Sequence, residues 1–149
     1  MGNKIGIIDD ETLVMKYYER DIKKLKLEIS VKLIPGVTEG INWVEKNIGS
    51  IFLLVVDTMM PPEDVFSMQE TRKGILTGVR LVEKIRRELK YQGLMYVLTN
   101  LPTDEAYTEY IRNDEHCRIL SKRKCTSKEF ARLVKSYHSE LEFSDEQED

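Results

Sequence analysis

The chain has 149 residues, enough for one compact domain and too few for two of ordinary size. Its 41% apolar residues can fill a single core, while 33% charged residues at a net charge of −3 imply a well-solvated surface. No run approaches the roughly 18 apolar residues of a membrane span, the Met-Gly-Asn-Lys start leads straight into a short apolar strand pattern, so that no signal peptide is expected, and two cysteines, Cys117 and Cys125, are too few for a disulfide scaffold, so a reducing, cytoplasmic setting is expected.

Lys4-Ile5-Gly6-Ile7-Ile8 is a short apolar run ending in Asp9-Asp10 and reads as a buried strand. Val14, Tyr17, Tyr18, Ile22 and Leu25 follow at helical spacing, predicting an amphipathic helix over about residues 11–25. Leu27, Ile29, Val31 and Leu33 alternate with polar residues, as a half-exposed edge strand does. After Pro35-Gly36, Thr38 is placed to cap a helix carrying Ile41, Val44 and Ile48 and stopping at Gly49. Ile51 to Val56 is continuously apolar and ends in Asp57, the pattern of a central strand buried on both faces.

A long segment separates this strand from a third helix marked by Leu81, Val82, Ile85 and Leu89. Leu94 to Leu98 is a fourth strand, ending at Thr99-Asn100. Ala106, Tyr107, Tyr110 and Ile111 predict a short helix after Pro102, and Cys117 to Ser121 a weaker fifth strand ending at Lys122. Thr126-Ser-Lys-Glu129 has capping-box form and opens a last helix with Phe130, Leu133, Val134, Tyr137 and Leu141 on one face. Residues 112–135 hold eight bases against three acids, whereas the last ten residues hold six acids and no base. Such a run at a chain end predicts a solvated, disordered tail over 142–149, beyond a domain spanning 1–141.

Five alternating strand–helix units predict an α/β domain, a doubly wound parallel sheet with helices on both faces. In such folds the functional site lies beyond the carboxyl ends of the central strands. The residues at those ends are Asp9-Asp10, Asp57, Thr99 and Lys122. Three clustered carboxylates repel and need a cation or a raised pKa. Mg²⁺, a hard ion that takes carboxylate, carbonyl and water oxygens, suits them. A phosphoryl group on one carboxylate completes the set, with the ammonium and the hydroxyl each engaging one of its oxygens.

Ile-Ile-Asp9-Asp10-Glu, Val-Val-Asp57-Thr-Met-Met-Pro61, Val-Leu-Thr99-Asn and Leu-Ser-Lys122, in this order and phase, resemble the receiver domain of two-component response regulators across about residues 4–141. The resemblance implies a flavodoxin-like five-stranded sheet in the order 2-1-3-4-5. It makes Asp57 the phosphoacceptor, and has Asp9, Asp10, Asp57 and the backbone carbonyl of Met59 hold Mg²⁺. Thr99 becomes the hydroxyl that swings toward the phosphoryl group, and Lys122 the pairing cation. It further implies a signalling switch rather than an enzyme. A sensor histidine kinase or phosphotransfer protein would supply the phosphoryl group, and the signal would pass by contact with a downstream protein through a surface including Tyr107, Tyr110, Arg118 and Lys128.

The chain departs from that pattern in three places. Arg123 follows Lys122 where most members have proline, which predicts a trans peptide bond. Ile119 stands where a switch aromatic is usual, with Tyr96 and Tyr110 as possible substitutes. The 16 residues from Pro62 to Thr77 exceed the usual loop before Gly78, and three roles are open to them: a lid over Asp57, a partner dock through Val65, Phe66 and Met68, or a tolerated insertion. Other functions fit less well. A haloacid-dehalogenase-like phosphatase needs an acid two positions after its nucleophile, where Met59 stands. A nucleotide site needs a glycine-rich loop where Asp9-Asp10-Glu11 stands, and no nucleic-acid reader module follows the fifth unit. The remaining alternative is the same fold used as a phosphorylation-independent interaction module.

Overall fold

The computed structural model describes residues 2–101 and 109–148, with side chains in the last helix as far as Phe143. Five parallel strands, β1 (Lys4–Ile8), β2 (Ser30–Ile34), β3 (Ile51–Asp57), β4 (Met95–Thr99) and β5 (Cys117–Ser121), form one sheet in the order β2-β1-β3-β4-β5. This is the strand order that the resemblance implies. β3, apolar until its last residue, is buried along its whole length at the sheet centre, as a strand covered on both faces must be.

Helices α1 (Thr12–Lys23), α2 (Val37–Asn47), α3 (Thr77–Arg87), α4 (Glu109–Arg112) and α5 (Ser127–Glu148) connect the strands. Alternation along each strand divides the core in two. Ile5, Ile7, Leu53, Val55, Tyr96 and Leu98 face α1 and α5, where Met15, Tyr18, Phe130 and Val134 meet them. Ile8, Leu54, Val56, Met95 and Val97 face α2 and α3, with Val44, Val79, Val82 and Ile85. No helix among the described residues is long and apolar enough to cross a membrane.

Several boundaries differ from expectation, each for a local reason. β2 begins at Ser30 rather than Leu27, because Lys26 takes a left-handed turn (φ 55°) and Ile29 N–H donates back to Leu27 O. α2 has Gly36, not Thr38, at its N-cap, and ends at Asn47 in a 3-10 turn over Ile48–Ser50. The segment 142–148, expected as a disordered tail, continues α5 through Glu148, with Glu142 one turn from His138 at 3.6 Å. In the fourth helix, Ala106 and Tyr107 lie outside the described residues. Tyr110 packs against the core under the guanidinium of Arg87, 4.8 Å from its ring centre.

The long β3–α3 segment is extensively hydrogen-bonded. Met60, Leu76 and Thr71 are buried, and Val65 and Phe66 pack against the α2–α3 side of the core. Two of the three residues expected to dock a partner are therefore used internally, and Met68 alone of them is exposed (59%). Ser67 and Glu70 cap one another reciprocally, Ser67 N–H to Glu70 Oε2 (2.9 Å) and Glu70 N–H to Ser67 Oγ (3.0 Å). Glu63 reaches across to α2, where Val37 N–H donates to Oε1 (3.1 Å) and Thr38 N–H to Oε2 (3.2 Å). The orphan amides of the α2 N-terminus thus find their acceptor in this segment.

Candidate functional site

The carboxyl ends of β1, β3 and β5 bring the expected acids and lysine into contact. Carboxylate oxygens of Asp9, Asp10 and Asp57 all lie within 4.8 Å of one another. Asp9 and Asp57 are buried, at 1% and 4% exposure, while Asp10 is exposed. Lys122 Nζ sits between the two buried acids, 3.1 Å from Asp9 Oδ2 and 3.2 Å from Asp57 Oδ1. The other oxygen of Asp9 accepts the Glu11 N–H at 2.8 Å. Lys122, rather than the exposed Lys124, occupies this position, and its bond to Arg123 is trans, as expected without proline. Its own N–H donates to Thr99 O at 2.9 Å, which ties the tip of β5 to that of β4.

One ammonium does not balance three acids. Burial first, and then the negative charge of Asp9, push the Asp57 carboxyl up to about 7, against the opposing pull of Lys122. Asp10 is raised for the same two reasons, burial and Asp9. For Lys122, burial acts to lower the pKa, but Asp57 and Asp9 outweigh it and hold the ammonium above its ordinary value. The cluster is therefore short of positive charge. Oxygen donors from three carboxylates are the set a hard divalent cation prefers, so the residues present fit Mg²⁺.

Thr99 is buried at 2% exposure, and its Oγ1 accepts two hydrogen bonds, from Thr58 Oγ1 at 3.0 Å and from Leu101 N–H at 2.9 Å. Thr58 was not among the residues expected at the site, though the register marks it: Asp57 pairs with Leu98, which sets Thr58 beside Thr99. Gly78, in the first turn of α3, approaches the backbone so closely that a Cβ there would lie 2.0 Å from Asp57 O. Its N–H donates to Thr58 O at 2.9 Å. The strand end carrying Asp57 is thus clamped to α3. Met59 is half exposed and lines a hollow of about 400 Å³ with Asp10, Glu11, Met68 and Lys73, so the long segment forms one wall beside the acids. Ile119, a departure from the usual aromatic, packs against the core, while Tyr96 is buried edge-on to Phe130 (5.9 Å).

By sequence, no protein-family model and no curated protein matches the chain. By structure, it is similar to a CheY-like response regulator receiver domain protein from Methanospirillum hungatei, with a TM-score of 0.71 at 17% identity, covering 97% of this chain and 99% of that one. The signal receiver domain of a putative LuxO repressor protein from Vibrio parahaemolyticus gives 0.69 at 14% identity, covering 100% and 99%. The BeF3-activated receiver domain of DrrB, a Thermotoga maritima protein, gives 0.65 at 19% identity, covering 93% and 99%. The chain has the flavodoxin-like fold of response-regulator receiver domains.

Proposed function

We propose that the protein is a phosphoacceptor switch, modified on Asp57 and signalling through contact with another protein. The observation that carries this reading is the bridging of Asp9 and Asp57 by Lys122 Nζ, with Asp10 within 4.8 Å. An Asp57 carboxylate oxygen attacks the phosphorus of a phosphorylated histidine or a small acyl phosphate. A P–O bond to Asp57 forms as the bond to the leaving group breaks. Asp9, Asp10, Asp57 and the carbonyl of Met59 would hold Mg²⁺, which supplies charge neutralisation between carboxylate and phosphoryl oxygens. Lys122 pairs with a phosphoryl oxygen in this reading, and Thr99 donates a hydroxyl proton to another.

Delivery from a sensor histidine kinase or phosphotransfer protein is supported by the surface that begins directly after the acidic pair. Leu13 (75% exposed), Val14 and Tyr17 stand outward on α1, flanked by Lys16 and Arg20. This is an apolar patch with a charged rim, the composition of a docking face beside the acceptor. The added charge biases the strand ends toward a second packing, which a downstream protein reads. Incubation with acetyl phosphate or beryllofluoride and Mg²⁺ tests the reading. Stoichiometric modification lost in Asp57→Ala is the expected result; an unmodified wild-type protein favours instead a phosphorylation-independent interaction module, the reading that Ile119 in place of an aromatic supports.

A further inference from the structure

Ile119 offers neither a hydroxyl nor a ring that could exchange places with Thr99, so whatever governs the Thr99 hydroxyl must come from elsewhere. A threonine hydroxyl has one proton to donate and two lone pairs to accept with. At Thr99 one lone pair accepts the Leu101 N–H, the Thr58 and Thr99 hydroxyls are hydrogen-bonded to each other at 3.0 Å, and both threonines are 2% exposed, where bulk water does not compete. We propose that Thr58 is a positioning residue that holds the Thr99 hydroxyl in place for an anion on Asp57. This inference rests on the phosphoacceptor reading of Asp57.

The geometry around Thr58 is fixed on three sides. Its N–H donates to Leu98 O at 3.1 Å, its carbonyl accepts the Gly78 N–H at 2.9 Å, and its hydroxyl reaches Thr99. The hydroxyl that orients Thr99 is therefore carried by the residue next to the acceptor and anchored to α3. Adding a phosphoryl group one residue away strains or relaxes the same backbone unit that holds Thr99. The coupling runs from β3 to β4 and α3, not from β4 to an aromatic on β5. Removing the Thr58 hydroxyl takes away the partner that orients the Thr99 hydroxyl, and a preorganised group is lost.

Two substitutions separate positioning from packing. Thr58→Val keeps the shape and deletes the hydroxyl, whereas Thr58→Ser keeps the hydroxyl and deletes a methyl group. Beryllofluoride affinity and the rate of acetyl phosphate labelling are measured with Mg²⁺ in each, together with Thr99→Val and the double variant Thr58→Val/Thr99→Val, and thermal unfolding controls for folding. We expect Thr58→Val to weaken beryllofluoride binding about fivefold, the size of one buried hydrogen bond. Thr58→Ser should restore it, and Thr58→Val should have no further effect once Thr99 is valine. Wild-type affinity in a folded Thr58→Val, or additive losses in the double variant, overturns the positioning role while leaving the phosphoacceptor reading intact. A wild-type protein that neither binds beryllofluoride nor becomes labelled overturns both.

Discussion

Ionising Asp57 is opposed by its burial and by the charge of Asp9, and Lys122 offsets this only in part, so the carboxyl sits at about 7. A divalent cation binds the ionised form and must displace the proton below that value. The sign follows: affinity for Mg²⁺ rises with pH up to about 7, by as much as about tenfold per pH unit, and levels off above it. Calorimetric titrations at several pH values measure this directly. Asp57→Asn should flatten the dependence as well as weaken binding, and a wild-type affinity that does not change across the window would show that Asp57 is not the titrating ligand. The acids and the lysine were legible in the sequence because each terminates an apolar run, and the end of a parallel strand fixes where its next residue goes. Thr58 was not, because a β-branched residue after a strand is ordinary until the β3–β4 register shows it beside Thr99.

Some elements were read nearly to the residue, the weaker strand β5 and the capped start of α5 among them, where Glu129 N–H donates to Thr126 Oγ1 at 3.2 Å. The cap of α2 escaped that reading. Its acceptor, Glu63, lies 26 residues beyond Val37, in a segment whose composition signals only a loop. The contact leaves no room for a larger residue at Gly36, where a Cβ would fall 2.2 Å from Glu63 Oε1. Glu63 supplies both an acceptor and a negative charge at the helix N-terminus. Replacing it with alanine is expected to cost about 1 kcal/mol and to accelerate hydrogen exchange at the Val37 and Thr38 amides. Urea unfolding and exchange read by NMR check the two effects. Glu63→Gln retains one acceptor and should fall between; unchanged exchange in Glu63→Ala would mean that the segment and α2 are held together by Met60 and Leu76 instead. The segment is joined to α2 through Glu63 and carries its own internal capping by Ser67 and Glu70.

For the molecule as a whole, the parallel sheet and its two-sided core followed from the alternation of elements and the strand order from the resemblance, but the polar lock on its lower edge followed from neither. Arg86, at the C-terminal end of α3, is 8% exposed and donates Nε–H to Asp114 Oδ2 at 2.7 Å. It also donates to Tyr91 O (2.8 Å) and His116 O (2.9 Å), so α3, the turn after it and the approach to β5 share one guanidinium. In the sequence Arg86 is one of several bases on α3, and nothing distinguishes the buried one until the helix face is known. Burial acts to raise the Asp114 carboxyl, but the Arg86 hydrogen bonds and charge outweigh it and hold the pKa below the ordinary value. A depressed carboxylate stabilises the fold above its unfolded pKa, and that contribution disappears as pH falls through the folded value. Asp114→Asn should therefore destabilise the protein by about 2 kcal/mol near neutral pH, less than a full broken pair because two carbonyls still hold Arg86. In acid, once pH has fallen below the folded pKa of Asp114, the variant and wild type should converge, since both side chains are then neutral. Urea unfolding of the two proteins at both pH values decides the matter: a stability difference that persists in acid would assign the loss to the altered geometry of the amide, and a difference confined to neutral pH assigns it to the charge that closes this edge of the sheet.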